Sequence, residues 1–230
     1  MLHSLTKYIN GHSDVVMGAL VLPEHNRALA DNLRFLQNAI GAVPSPYDCW
    51  LAQRGAKTLH LRMKQHGLNA LAVARALESS EGVEQVIYPG LPGKTTASKR
   101  KNELAWKVLS THARKWISGG AKGGEEDDDG KDDKPPVDGF PFSGMVSFRI
   151  RGGFEQANKF LTSTRLFTLA ESLGGVESLA EHPAQMTHGS IPPAERSILG
   201  IGDNLIRLSV GVEDQDDLVH DVLQAVQQAV

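Results

Sequence analysis

The chain has a single cysteine, Cys49, in 230 residues, so no disulfide can form within it, and the reducing cytoplasm is the compartment this usage fits. No apolar run approaches the ~20 residues needed to span a bilayer, which gives no reason to expect a membrane protein. Met1-Leu2-His3-Ser4 lacks the basic start and apolar core of a signal peptide. Aromatic residues make up only 6% of the chain, and no basic stripe is interleaved with them, which argues against a nucleic-acid partner. The remaining composition, 40% hydrophobic and 22% charged, is that of a globular chain with room for one large or two modest domains.

The formal net charge of −3 is concentrated in one place. From Gly119 to Asp138 eight acids stand against three lysines, among glycines and Pro135-Pro136. Such a stretch is too polar to offset the entropy of ordering, so a disordered acidic insert is expected at about 119–138. The EF-hand spacing with its glycine and distal glutamate is not met, and no metal site is expected.

Elsewhere helical and strand patterns alternate. Val15 to Leu22 reads as a buried strand ended by Pro23, followed by a helix from Glu24 to about Asn38 with Leu29, Leu33, Leu36 and Ile40 on one side. A long helical stretch from Tyr47 to Leu77 is interrupted near Arg54-Gly55. Val83–Tyr88, Met145–Ile150 and Leu205–Val210 read as strands, the last two alternating as in a sheet with one face covered by helices. Asp214 is placed to cap a closing helix with Leu218, Val222, Leu223 and Val226 as its apolar stripe.

The most specific stretch is Ser4-Leu5-Thr6-Lys7-Tyr8-Ile9-Asn10-Gly11-His12-Ser13-Asp14. A lysine that forms a Schiff base needs a neutral amine near pH 7, far below its free pKa of ~10.4. A phosphorylated aldehyde cofactor also needs donors beside that lysine, and Ser4 and Thr6 would share one face of an extended strand. Ser4-x-x-Lys7 also spells an acyl-serine motif, but no Lys-Thr-Gly partner occurs. His12, Ser13 and Asp14 are hydrolase residue types, yet consecutive residues cannot converge as a triad.

The stretch resembles the lysine signature of the Cys/Met-metabolism enzymes dependent on pyridoxal 5'-phosphate (PLP), the cystathionine lyase and synthase family. The resemblance continues through Arg54-Gly55-Ala56-Lys57-Thr58-Leu59-His60, Tyr88-Pro89-Gly90-Leu91, Phe167 to Gly175, Met186-Thr187-His188 and Leu205 to Gly211. It implies an α/β architecture of fold type I: residues 1–80 the end of a PLP-binding domain, residues 81–230 a smaller α+β domain. It further implies Lys7 as catalytic residue, with Ser4, Thr6 and Lys7 holding PLP. Arg207 would grip a substrate α-carboxylate, with Ser172 helping; from the strand pattern alone, a structural ion pair serves Arg207 equally well. Glu171 would face the distal part of the substrate and Thr187 lie near the cofactor. The activity implied is γ-elimination of cystathionine, with β-lyase or γ-synthase chemistry, or a non-catalytic dimerisation fragment, as the alternatives. A homo-oligomer with a small amino-acid substrate is the implied assembly. Family members carry a further N-terminal half, so the 230 residues by themselves are expected to be nearly silent catalytically.

Overall fold

A computed structural model describes residues 1–119 and 134–230. Most of the expected acidic insert therefore lies outside the described residues. The chain opens with strand β1 (Leu2–Ser4), pairs it antiparallel with β2 (Gly18–Leu20), and continues through helices α1 (Arg27–Ala39), α2 (Pro46–Ala56) and α3 (Leu59–Glu78). Then come β3 (Val83–Ile87), α4 (Thr96–Val108), α5 (Thr111–Ile117), β4 (Met145–Ile150), α6 (Phe154–Ser163), β5 (Thr168–Leu169) and β6 (Leu179–Glu181). Helix α7 (Pro193–Ile198), β7 (Leu205–Ser209) and α8 (Gln215–Ala229) complete it. No described helix is long and apolar enough to cross a membrane.

Alternation in β4 and β7 builds the core. Val146, Phe148, Ile150, Ile206 and Leu208 are all fully buried, and each such side chain contributes about 1.5–3 kcal/mol relative to exposure. The sheet runs β3-β4-β7-β6-β5, antiparallel except for the parallel β5–β6 pair. Against its apolar face lie α3, α6 and α8, with Phe148 and Phe160 meeting edge to face at 5.1 Å. Helix α8 starts where Asp214 accepts hydrogen bonds from the amides of Asp216 and Asp217, and Leu218, Val222 and Val226 face inward as expected. Because side chains alternate along a strand, Arg207 projects from the other face of β7, and that is where the site is built.

One expectation is corrected. The 15–22 segment is not a buried strand: only Gly18–Leu20 pairs, Val15 is buried, and Val16 is 93% exposed. Helix α1 forms close to its expected span, but none of its residues is buried, and Leu29, Leu36 and Ile40 stand in solvent. The α3–β3 connection at residue 80 joins two elements of a single apolar core.

Candidate active site

The strand expected to run through Lys7 ends at Ser4. From Leu5 to Ile9 the backbone makes one wide helical turn, closed by Asn10 N–H donating to the Leu5 carbonyl at 2.8 Å and Gly11 N–H to the Lys7 carbonyl at 2.8 Å. Lys7 itself departs from helical geometry, with ψ at −136°. The shared-face argument for Ser4 and Thr6 therefore falls, since they do not sit on one strand. Thr6 Oγ1 accepts from the Met17 amide at 3.0 Å, which ties the turn to the β2 side of the hairpin. Ser4 is exposed, and its hydroxyl makes no hydrogen bond among the described residues.

The turn delivers the Lys7 amine to Ser172, whose Oγ accepts from Nζ at 2.9 Å. No carboxylate pairs with Lys7 among the described residues. Ser172 has φ at +129°, a region that costs a non-glycine residue about 1–3 kcal/mol and that recurs at functional sites. Its carbonyl accepts from Arg207 Nη2 at 2.8 Å, and the same Nη2 donates to Glu181 Oε2 at 2.5 Å. Glu181 is directly opposite Arg207 across the β6–β7 pair and is 1% exposed, against 22% for the arginine side chain. Thr187 Oγ1 donates to the other Glu181 oxygen at 2.9 Å and contacts His188 Nδ1 at 2.8 Å. A chain of polar contacts thus runs from Lys7 through Ser172, Arg207 and Glu181 to Thr187.

Four of the expected residues, Lys7, Ser172, Thr187 and Arg207, are brought together. Glu171 is exposed beside Ser172 with no side-chain partner among the described residues. Glu181 was not anticipated: Leu179-Ala180-Glu181 is three residues long, and its acid reads as surface until the pairing with β7 is known. The need of Arg207 for an acidic partner was the available signal. Arg207 Nε is buried without a hydrogen-bond partner among the described residues.

Tyr8, next to the lysine, is half-buried and packs against His66, the rings meeting edge to face at 5.2 Å. Burial pushes the Tyr8 phenol up to about 12, and its hydroxyl, beside Gly144, has no partner in hydrogen-bonding geometry among the described residues. Gly174, at φ +80°, lets the backbone come close to Tyr8: a Cβ there would lie 2.7 Å from the Tyr8 nitrogen.

The family model described as Cys/Met metabolism PLP-dependent enzyme matches residues 1–118 and 138–227. The chain belongs to this family. A cystathionine gamma-lyase of Saccharomyces cerevisiae is 49% identical over the whole chain, and that of Bos taurus is 49% identical over 99% of it. The crystal structure of the yeast cystathionine gamma-lyase superposes with a TM-score of 0.77 at 46% identity over 99% of this chain and 49% of that one. The structure of metB from Corynebacterium glutamicum gives 0.74 at 40% identity over 98% and 48%. The chain spans about half the length of the relatives it matches. The fold neighbours are those of the family's α/β class.

The family's cofactor is PLP, and the geometry at Lys7 fits it. The amine meets a neutral hydroxyl rather than a carboxylate, so no ion pair must break before it condenses with an aldehyde. The Ser4 hydroxyl, without a partner among the described residues, is open to a phosphate, whereas that of Thr6 is engaged by Met17.

Proposed function

We propose that this chain carries the lysine and the carboxylate-binding half of a carbon–sulfur lyase that splits cystathionine, with water, into cysteine, 2-oxobutanoate and ammonia. The observation that carries this reading is the contact chain from Lys7 through Ser172 to Arg207, which joins an unpaired amine to a guanidinium held by a buried counterion. PLP, when bound, supplies the electron sink for carbanions next to the amino group. Lys7 would hold it, with the Ser4 hydroxyl toward its phosphate and Thr6, through Met17, bracing the turn that carries the lysine.

The chain's own residues then have distinct tasks. Arg207, with 22% of its side chain facing solvent, offers its guanidinium to the substrate α-carboxylate, the planar recognition for which that group is suited. Glu181 and Thr187 keep that guanidinium in one orientation. The Ser172 hydroxyl holds the Lys7 amine beside it, from where the amine moves protons between the α- and β-carbons; such assistance is typically worth ~10²–10⁴ in rate. Glu171 serves the distal, ammonium-bearing end of the substrate. The enzyme works in the cytoplasm as a homo-oligomer, in keeping with the single cysteine and with the uncovered apolar face of α1.

The test is borohydride trapping of PLP on the chain, with mapping of the modified lysine. Modification at Lys7, lost in Lys7→Ala, is the expected result; trapping that persists in Lys7→Ala and maps to another lysine would refute the assignment. Turnover of cystathionine is then measured with the chain alone and with the N-terminal half of the yeast relative added. Unreduced protein that binds PLP at Lys7 yet releases no cysteine in either setting would refute the lyase reading.

A further inference from the structure

Arg62, in the first turn of α3, is only 7% exposed, yet it has no acidic partner among the described residues. Burial alone pulls its pKa down. Its donors go to four neutral acceptors. Nε donates to Thr58 Oγ1 at 3.0 Å and Nη1 to the Tyr8 carbonyl at 2.7 Å; Nη2 donates to the Ile9 carbonyl at 3.1 Å and to that of Gly55 at 2.8 Å. Two of these are the carbonyls directly after Lys7, and the others belong to the α2–α3 junction. A buried cation is costly unless its hydrogen bonds are well made, and here the planar fork clasps the lysine turn to the helix pair.

The sequence around the turn makes room for this clasp. A Cβ on Gly11, which has φ at +71°, would collide with Arg62 Nη1, and a Cβ on Gly55 would collide with the Asn10 carbonyl. On the opposite side Val176 N–H donates to the Gly11 carbonyl at 2.9 Å, so residues 8–11 are held between the α2–α3 junction and the segment that carries Ser172.

We propose that Arg62 is a positioning residue for Lys7. It touches neither the amine nor Arg207, but fixes the backbone from which the amine reaches Ser172. This rests on the reading of Lys7 as the cofactor lysine. A lysine at position 62 supplies one point charge where the fork meets four acceptors, so charge is kept and geometry is lost.

The experiment compares the full 230-residue chain with Arg62→Lys and Thr58→Val, the latter removing one acceptor of the fork at an otherwise conserved shape. Folding is checked by circular dichroism. Hydrogen exchange at the Asn10 and Gly11 amides is read without cofactor, and borohydride trapping of PLP at Lys7 is read as a ratio to trapping at the exposed Lys107 and Lys159. An ångström-scale misplacement costs about a hundredfold in a positioned reaction. Folded Arg62→Lys should therefore show faster exchange at both amides and a Lys7 ratio reduced on that scale, with Thr58→Val between it and wild type. If Arg62→Lys does not fold, Thr58→Val carries the comparison. Wild-type exchange together with a wild-type Lys7 ratio in a folded variant would overturn the proposal. If wild type itself is not trapped at Lys7, the functional reading fails, and the exchange rates alone decide whether Arg62 holds the turn.

Discussion

Removing the carboxylate of Glu181 is the sharpest perturbation of the site. Glu181→Ala leaves Arg207 without its counterion, with only the Ser172 carbonyl still accepting from Nη2, and frees the Thr187 hydroxyl that donates to the same carboxylate. Breaking a buried ion pair by deleting one partner costs about 3–5 kcal/mol. Arg207 keeps 22% of its side chain in contact with solvent, which places the expected loss at the lower end, about 3 kcal/mol. For a chain of this length a loss of that size lowers Tm by ~6–12 °C. Glu181→Gln separates charge from shape: its amide oxygen can accept from Arg207 and its nitrogen can donate to Thr187, so about 1 kcal/mol and a few degrees are expected. Differential scanning calorimetry of the two variants beside wild type is the assay. The reasoning fails if Glu181→Ala melts within about 2 °C of wild type, or if the glutamine variant is the less stable of the two.

Three further outcomes follow from the same geometry. His66 is fully buried; its Nδ1 faces the Val210 carbonyl at 2.7 Å, so that nitrogen carries the proton, while Nε2 has no partner among the described residues. Burial holds its pKa below the ordinary 6.5, so the unfolded chain takes up the proton first. The contribution is whole above pH ~6.5 and is lost as pH falls from there, at up to about 1.4 kcal/mol per pH unit; denaturant unfolding between pH ~7 and ~5 should show this slope in wild type and not in His66→Asn. Asp221, 3% exposed, accepts from the amides of Arg165, Leu166 and Phe167 and from Gln224 Nε2, so Asp221→Ala should cost about 3 kcal/mol or more by orphaning buried donors, read as a lower denaturant midpoint. In an active assembly Arg207→Lys should raise KM for cystathionine with a smaller effect on kcat, and an unchanged KM would remove the carboxylate role from this residue.

How much of this could be read from the residues alone depends on where each element finds its partners. Strands β4 and β7 and helix α8 were legible because their apolar alternation and the Asp214 cap are local and the core they face lies within the chain. Val15 to Leu22 misled because its apolar residues imitate a strand, whereas only three residues find a partner, in β1. Helices α4 and α5 were passed over: each is begun by a short polar cap, Thr95 or Ser110, and followed by a largely polar sequence with a weak apolar stripe. At the site, Lys7 and Arg207 were singled out by the family resemblance, since by type and neighbourhood alone a surface lysine and a structural ion pair read equally well. Glu181 and Arg62 were not, because what marks them is a cross-strand register in one case and backbone carbonyls more than fifty residues away in the other.

Position 172 sets two selection pressures against each other. A glycine there would relax the backbone at φ +129° and, by folding criteria, make a sturdier protein, yet it would delete the hydroxyl that receives the Lys7 amine. Libraries screened for heat resistance alone would drift toward that glycine, and those screened for turnover would keep the serine, so sequencing the survivors of the two screens at this one codon would tell which property had been selected.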